Sequence, residues 1–249
     1  MTRIAWDTVG DRVFEVGVDR GVLYLDDQGV PWNGIISVSE APDGGVVTPR
    51  FIDGVKYLDD PTLQSYKANL VAFTYPDEFA ICDGTRQVGN GLFALNQKKQ
   101  TFGLCYRTQL GNDTEGLDHA YLLHIVYNAT ATPTRHDYRT TGEGALSPSN
   151  FAWDISAKPP LHKGVAPTAH FVVDSRDTPS DLLYRIEDIL YGSDQIEPRL
   201  PSLQELISMF QSYSASSFDA GFVGTAYYNL IDAGVIPETQ DETIDGGSP

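Results

Sequence analysis

Short runs of β-branched and aromatic residues, separated by Gly, Pro, Asn and Asp, dominate the chain to about residue 175. Runs of this kind between turn-forming clusters are typical of β-strands. The clearest candidate strands are Val13–Val18, Val22–Leu25, Ile35–Ser39, Lys67–Tyr75, Thr101–Gln109, Ala120–Asn128, Phe151–Ile155 and Ala169–Val173. The pattern predicts a mainly β fold.

Two of these runs indicate how their faces are covered. Lys67–Tyr75 alternates, so its odd-numbered positions share one face. Ala120–Tyr127 is apolar on both faces apart from His124. This predicts a central strand that is covered on both sides or buried between subunits.

Helical periodicity appears only near the end of the chain. Thr178 is suited to cap a helix with Pro179 at its first position, and Gly192 is suited to end it. A capping box between Ser202 and Glu205 predicts the start of a second helix. Helices that follow a series of strands favour a β-sandwich or half-barrel with one flanking helix and a second helix near the C-terminus.

The 249 residues, 41% of them apolar, fit one large β domain with an appendage. We expect this domain to span residues 1–213 and an acidic extension to span 214–249. Within the domain, Glu40–Thr62 is a long excursion rich in turn residues, with its own hairpin at Arg50–Leu58. It is either a solvent-exposed hairpin or an arm that reaches a neighbouring molecule.

No apolar run approaches the 18 or so residues that a membrane-spanning helix needs, and the first ten residues do not resemble a signal peptide. We therefore expect a soluble protein made in a cytoplasm, without a membrane partner.

The charge balance is strongly acidic, with 34 Asp and Glu against 17 Lys and Arg and a net charge of −17. Such a surface repels nucleic acid at long range, so conventional DNA or RNA binding is not expected. Two interpretations stay open. The acids keep the protein soluble, or they line a channel along which DNA slides without sticking.

One loop concentrates oxygen ligands. Gly111–His119 contains Asn112, Asp113, Glu115 and Asp118 between two strong strand patterns. Calcium prefers such ligands, but the spacing does not match an EF-hand loop. Ordinary turn chemistry in a hairpin that points toward a neighbour or a lumen is the favoured interpretation.

No pattern of catalytic, cofactor-binding or metal-binding residues emerges. The five histidines form no zinc motif, and the chain has neither a nucleophile elbow nor a glycine-rich phosphate loop. Cys82 and Cys105 lie in apolar runs, which favours buried free thiols and leaves a disulfide as the alternative. The tyrosine-rich segments favour a core, with an interface or a carbohydrate-binding face as the alternatives. We expect no enzymatic activity, no cofactor and no metal site.

Several segments nevertheless resemble one family. Val13–Gly34, with its two apolar runs and its Pro-Trp-Asn-Gly corner, resembles the start of the major tail protein, the tail tube subunit, of long-tailed bacteriophages that infect actinobacteria. The further segments similar to this family are Phe51–Leu58, Ala72–Gly84, Phe102–Ala129, Phe151–Pro159, Pro167–Arg176 and Ile186–Asp194.

This resemblance implies a structural subunit of the virion tail, assembled in the host cytoplasm. Six copies would form a ring with a closed inner β-barrel, to which the strands around Lys67–Tyr75 and Ala120–Asn128 would contribute. Stacked rings would form a channel for genome delivery. The implied partners are further copies of the chain, the tape measure protein, other tail proteins and the passing genomic DNA, which would not be bound specifically.

The resemblance also suggests roles for two loops. The Glu40–Thr62 excursion would contact the adjacent ring, through the residues Arg50, Phe51, Lys56 and Tyr57. Asp113, Glu115 and Asp118 are candidate lumen or interface acids. Two alternatives remain open: a distal or minor tail protein that forms a single ring, and a carbohydrate-binding β-sandwich used for host recognition.

Overall fold

A computed structural model of the chain describes residues 4, 6–26, 28–45, 47–61, 64–136, 138, 140, 149–162 and 166–218. Its twelve described strands are β1 Phe14–Leu25, β2 Gln28–Pro31, β3 Ile35–Glu40, β4 Val47–Ile52, β5 Val55–Pro61, β6 Lys67–Ala72, β7 Arg86–Gly89, β8 Leu92–Ala94, β9 Phe102–Asn112, β10 Gly116–Pro133, β11 Phe151–Ala157 and β12 His170–Asp174. The helices of the described ranges are α1 Ala80–Asp83, which follows a 3-10 turn at Asp77–Phe79, α2 Ser180–Tyr191 and α3 Leu203–Phe218.

Eight strands form one antiparallel sheet in the order β2-β1-β9-β10-β11-β6-β3, and β12 also pairs with β10. The long strand β10 joins the two parts of this sheet. Its first half pairs with β9 and β12, with His124 opposite Val172, and its second half pairs with β11, with Ala131 opposite Ile155. Asn128, at a φ of 50°, lies between the two pairings. The large antiparallel sheet confirms the predicted mainly β fold. Within the subunit, this sheet does not close into a barrel.

Strand β10 is buried on both faces. Leu123, Ile125 and Tyr127 pack in a cluster that helices α2 and α3 cover. Val126 and Ala129 belong to a second cluster, which is rich in aromatic residues contributed by both parts of the sheet. The first of the two interpretations of this strand, coverage on both sides, is therefore confirmed.

Helix α2 ends as expected but begins differently. Gly192 adopts a φ of 83° and its N–H donates to the carbonyl oxygen of Asp188 at 3.0 Å. The prediction that Thr178 caps this helix was wrong. Pro179 occupies the capping position in an extended conformation, without a side-chain cap, and the helix starts at Ser180. Thr178 is thereby moved one residue away from the first turn.

Helix α3 begins as the sequence predicts, because the N–H of Glu205 donates to Ser202 Oγ at 3.2 Å. The helix continues to Phe218 and so crosses the expected boundary between residues 213 and 214. The rest of the C-terminal extension lies outside the described residues. None of the described helices combines the length and the hydropathy that crossing a bilayer would require.

The runs Val13–Val18 and Val22–Leu25 belong to a single strand, β1. Its pairing with β9 shifts register twice, between Val16 and Asp19 and again between Asp19 and Val22. Gly17 and Arg20 both adopt positive φ at these shifts, which is typical of β-bulges. A polar interruption that separates two strands in the sequence pattern is therefore a pair of bulges in the structure.

Cys82 and Cys105 are both buried and both free. Burial raises the pKa of each thiol to about 12. The preferred interpretation, buried free thiols, is confirmed.

Candidate functional site

Among the described strands, β4 and β5 pair only with each other and form a separate two-stranded sheet. Its turn is Asp53-Gly54, and both residues have positive φ, at 52° and 77°. This is the geometry of a type I′ turn, which suits a two-residue hairpin. The hairpin predicted at Arg50–Leu58 is confirmed, and it extends further, from Val47 to Pro61.

All four residues proposed for ring stacking lie on this hairpin. Phe51 pairs with Lys56, and Arg50 pairs with Leu58. The register shift between these two pairs leaves Tyr57 without a directly opposite residue. Phe51 is 62% exposed and Tyr57 is 75% exposed. The other exposed apolar side chains of the hairpin are Val47, Ile52, Val55 and Leu58.

Such a hairpin is unusual on the surface of a protein that acts as a monomer. A two-stranded hairpin alone is only marginally stable in water. Contiguous exposed apolar side chains commonly mark an interaction site. The hairpin therefore has the properties of an arm that is completed by a partner.

A second hairpin, β7–β8, also exposes apolar side chains and was not predicted from the sequence. Val88, Leu92, Phe93 and Leu95 are each at least half exposed. The β4–β5 hairpin precedes the start of strand β6, whereas β7–β8 follows its end. Lys99 Nζ donates to the carbonyl oxygen of Ala131, which holds the segment after β8 against the far end of β10. The two apolar hairpins are thus connected to opposite ends of strand β6.

The acidic turn between β9 and β10 is held by local contacts. Asn112 Oδ1 accepts from the N–H groups of Thr114 and Glu115, at 3.1 and 2.6 Å, which is an Asx turn. Asp113 accepts from the N–H of Gly10 at 2.8 Å, and Glu115 lies 2.7 Å from His119 Nδ1.

Asp118 follows this turn on β10 and lines a shallow surface pocket beside His119. Within the ranges that the structure describes, these acids do not gather into a metal-binding group.

One face of the strands β3, β6 and β11 is polar and open, whereas the opposite face is buried. Asn69 Nδ2 donates to Asp154 Oδ1 at 2.9 Å across β6 and β11. Ser156, which pairs with Lys67, is exposed on the same face. Leu70, on the opposite face of β6, is fully buried in the aromatic cluster. An antiparallel sheet with one solvated face has this alternation.

Three polar residues that are distant in the sequence meet in one group, in which His124 is buried, His170 is partly buried and Glu40 is exposed. Glu40 at the end of β3, His124 on β10 and His170 on β12 have ligand atoms that all lie within 4.8 Å of one another. His124 Nδ1 is 3.1 Å from His170 Nε2 and 3.5 Å from Glu40 Oε1. The rings of Tyr106 and His124 stack, with centroids 4.6 Å apart.

This environment keeps Glu40 ionised. Burial alone would raise the pKa of Glu40, but its contacts with His124, Tyr106 and His170 outweigh it and lower the pKa to about 2. Burial raises the pKa of Tyr106, so its hydroxyl stays protonated and donates to Glu40. Burial also lowers the pKa of His170 and favours the neutral imidazole.

A cavity of about 620 Å³ lies between strand β1, the corner at Trp32 and the end of helix α2. Its charged lining residues are Asp19 and Arg20. Asp19 is held by Arg107, whose Nε and Nη2 donate to the two carboxylate oxygens at 2.7 and 2.6 Å. The arrangement is that of a structural ion pair.

No protein-family model matches the chain, and no curated protein matches it significantly. Solved structures with some likeness include a chain of the sheath–tube complex of the PVC extracellular contractile injection system in its extended state. That match is 17% identical, covers 62% of this chain and 88% of the other, and has a TM-score of 0.30.

Two further matches come from the anti-feeding prophage. Its tube-terminating cap is 11% identical, with 70% of this chain and 97% of the other covered and a TM-score of 0.31. A chain of its six-fold symmetrised baseplate is 9% identical, with 68% and 97% covered and a TM-score of 0.32. TM-scores this low leave the function to be argued from the residues of this chain.

Proposed function

We propose that this chain is a structural subunit of a phage tail tube, the major tail protein, which forms stacked hexameric rings around a channel for genome delivery. The proposal starts from the sequence segments that resemble this family. The observation that carries it is the pair of exposed apolar hairpins, β4–β5 and β7–β8, which connect to opposite ends of strand β6.

Two different apolar surfaces that are connected to opposite ends of one strand favour head-to-tail contacts between subunits. Such heterologous contacts need not close on themselves, and they give an open polymer when they repeat along one axis. In the proposed tube, the β4–β5 arm of one subunit packs on a subunit of the next ring. Its residues Phe51 and Tyr57 supply apolar contact area, and Arg50 and Lys56 supply charge at the edge of that contact.

Ring formation would use the edges of the open sheet. The sheet ends at β2 on one side and at β3 on the other. Unpaired strand edges invite association, and closing them into a barrel shared between subunits removes that hazard. The tape measure protein and other tail proteins would then meet assembled rings.

The polar face of β3, β6 and β11 is the surface best suited to the channel wall. It presents mainly polar side chains, among them Lys67, Asn69, Asp154 and Ser156, with the partly exposed Val71 between them. Strand β10 around Ala120–Asn128 is buried on both faces within one subunit, so that segment is not assigned to the wall. Asp113, Glu115 and Asp118 lie at the β9–β10 turn and are proposed as interface acids at the rim.

The experiment that tests the arm replaces residues 47–61 with a short Gly-Ser linker. The entropic cost of closing a surface loop changes only slowly with its length, so the variant should still fold. It should form no tubes in electron micrographs. Tubes of wild-type length from this variant would contradict the stacking role.

A matched pair of point variants sharpens this test. Tyr57→Ser removes an exposed tyrosine from the arm, and Tyr184→Ser removes a tyrosine of similar exposure, 65%, from helix α2. Tube growth should slow only for Tyr57→Ser. Wild-type growth of both variants would count against the arm, and single rings without tubes from the wild type would favour a distal or minor tail protein.

The channel wall is tested by thiol labelling, because both native cysteines are buried and react slowly. In assembled tubes, Ser156→Cys should react with a small maleimide but not with a gold-conjugated maleimide. Tyr184→Cys, on the outer helix, should react with both. Gold labelling at position 156 along the tube would place that face outside and contradict the assignment.

A further inference from the structure

Glu40, His124 and His170 come from three different strands and meet at the open end of the sheet interior. Imidazole nitrogens and a carboxylate oxygen are the ligands that zinc and related ions take in proteins. We propose that these three residues bind one divalent transition-metal ion of the zinc type, with water at the remaining position. This departs from the expectation of no metal site and does not depend on the proposed function.

Two of the three separations between ligand atoms fit one ion directly, and all three atoms lie within 4.8 Å of one another. Ligands about 2.0–2.1 Å from a tetrahedral zinc ion lie roughly 3.3–3.4 Å from each other. His124 Nδ1 is 3.1 Å from His170 Nε2 and 3.5 Å from Glu40 Oε1. Small side-chain movements would bring all three atoms to coordination distance.

The neighbours of His124 fix which ring nitrogen is free to bind. Thr108 Oγ1 donates to Glu15 Oε1 at 2.6 Å, and the same oxygen lies 3.0 Å from His124 Nε2. The hydroxyl has a single hydrogen, so it must accept from His124 Nε2–H. The lone pair of His124 is then on Nδ1, which faces His170 and Glu40. A metal-binding histidine commonly donates its other N–H in this way.

His170 also directs a ring nitrogen toward each of the other two proposed ligands. Its Nδ1 lies 3.7 Å from Glu40 Oε2, and its Nε2 faces His124 Nδ1. Two ring nitrogens at 3.1 Å are joined either by a hydrogen bond, in which one of them carries the proton, or by a metal ion between them.

A metal ion here would join β3 to β10 and β12. Glu40 is the last residue of β3, and the β4–β5 hairpin begins at Val47. Bound metal would therefore fix the base of the arm and stabilise the folded state by mass action.

The test uses the full chain without a histidine tag, freed of metal by a chelator and dialysed against Zn²⁺. We expect one zinc per chain and a higher Tm in the presence of zinc. Absence of stoichiometric zinc would overturn the proposal and leave a proton-bridged histidine pair. With Co²⁺ in the wild-type protein, the visible spectrum should be that of a tetrahedral site with nitrogen and oxygen ligands. An octahedral, solvent-like spectrum would also overturn it.

Variants locate the site. His170→Gln should abolish stoichiometric binding, while His119→Gln, at the β9–β10 turn, should bind one zinc as the wild type does. Thr108→Val leaves all three ligands in place but removes the acceptor for His124 Nε2–H. It should weaken zinc binding about 10–100-fold. Equal loss in His119→Gln, or wild-type affinity in both His170→Gln and Thr108→Val, would contradict the assignment.

Discussion

The β4–β5 and β9–β10 hairpins have opposite surroundings. The central parts of strands β9 and β10 are buried on both faces, between the aromatic cluster and the helices α2 and α3. Strands β4 and β5 are exposed at every residue whose side chain is described, although they also carry large apolar side chains. Both hairpins are therefore rich in apolar side chains, but only those of β9–β10 are buried within the subunit.

The difference separates residues that hold the subunit together from residues that are available to hold subunits to each other. Side chains of β10 should determine the free energy of unfolding of the isolated chain. Side chains of the β4–β5 arm should leave that free energy nearly unchanged and affect assembly instead.

The largest expected effect on the isolated chain is from Leu123→Ala. Leu123 on β10 is fully buried, and removing its side chain leaves a cavity that costs about 2–5 kcal/mol. Chemical denaturation measures the loss. Leu117→Ala is the matched control on the same strand, because Leu117 is 51% exposed and should lose far less. Equal losses would contradict the distinction between covered and open positions.

A smaller loss is expected when the helix that covers β10 loses its cap. Ser202→Ala removes the acceptor for the N–H of Glu205 and should lower the free energy of unfolding by about 1 kcal/mol. Ser208→Ala is the comparison within the same helix, because Ser208 Oγ donates to the carbonyl oxygen of Gln204 and accepts from Gln204 Nε2, both within one helical turn. Its effect should be near zero. A larger loss from Ser208→Ala would show that the cap does not stabilise α3.

The Asp19–Arg107 pair connects β1 to β9 and adds a pH-dependent contribution. The hydrogen bonds from Arg107, opposed by burial, lower the pKa of Asp19 below 3.8. Because the folded pKa is lowered, this stability is present above the unfolded pKa and is lost as the pH falls through the folded pKa. Asp19→Asn should cost about 1 kcal/mol or less at pH 7. The variant should lose less stability than the wild type on going from pH 5 to pH 2, and parallel acid profiles would contradict this.

The smallest effect on folding is expected for the arm. Phe51→Ser changes a side chain that is 62% exposed, so the free energy of unfolding should stay within about 0.5 kcal/mol of the wild type. A loss as large as that of Leu123→Ala would show that the arm packs on its own subunit.

The sequence was sufficient to predict the elements that depend on local pattern. It predicted most strands, both long helices, the end of α2 at Gly192 and the two-sided burial of β10. The short α1 helix and the β7–β8 hairpin were missed because four or fewer residues per element carry no readable period. Thr178 was misassigned because the pattern alone does not distinguish Pro179 at the cap from Pro179 in the first turn.

The candidate sites divide in the same way. The four arm residues were chosen from one continuous segment, and the structure places them together. Glu40, His124 and His170 were treated separately, because only the pairing of β12 with β10 and the approach of β3 bring them together. No spacing along the chain carries that information. The one available signal was His124, the single strongly polar residue in the apolar run Ala120–Tyr127.

The central claim is that this chain assembles with itself through surfaces that folding leaves open. Sedimentation of the purified wild-type chain over a wide concentration range, with electron microscopy of the same samples and with tail assembly partners added, tests it most directly. The account predicts rings or tubes that grow with concentration. A chain that stays monomeric under every one of these conditions would contradict it.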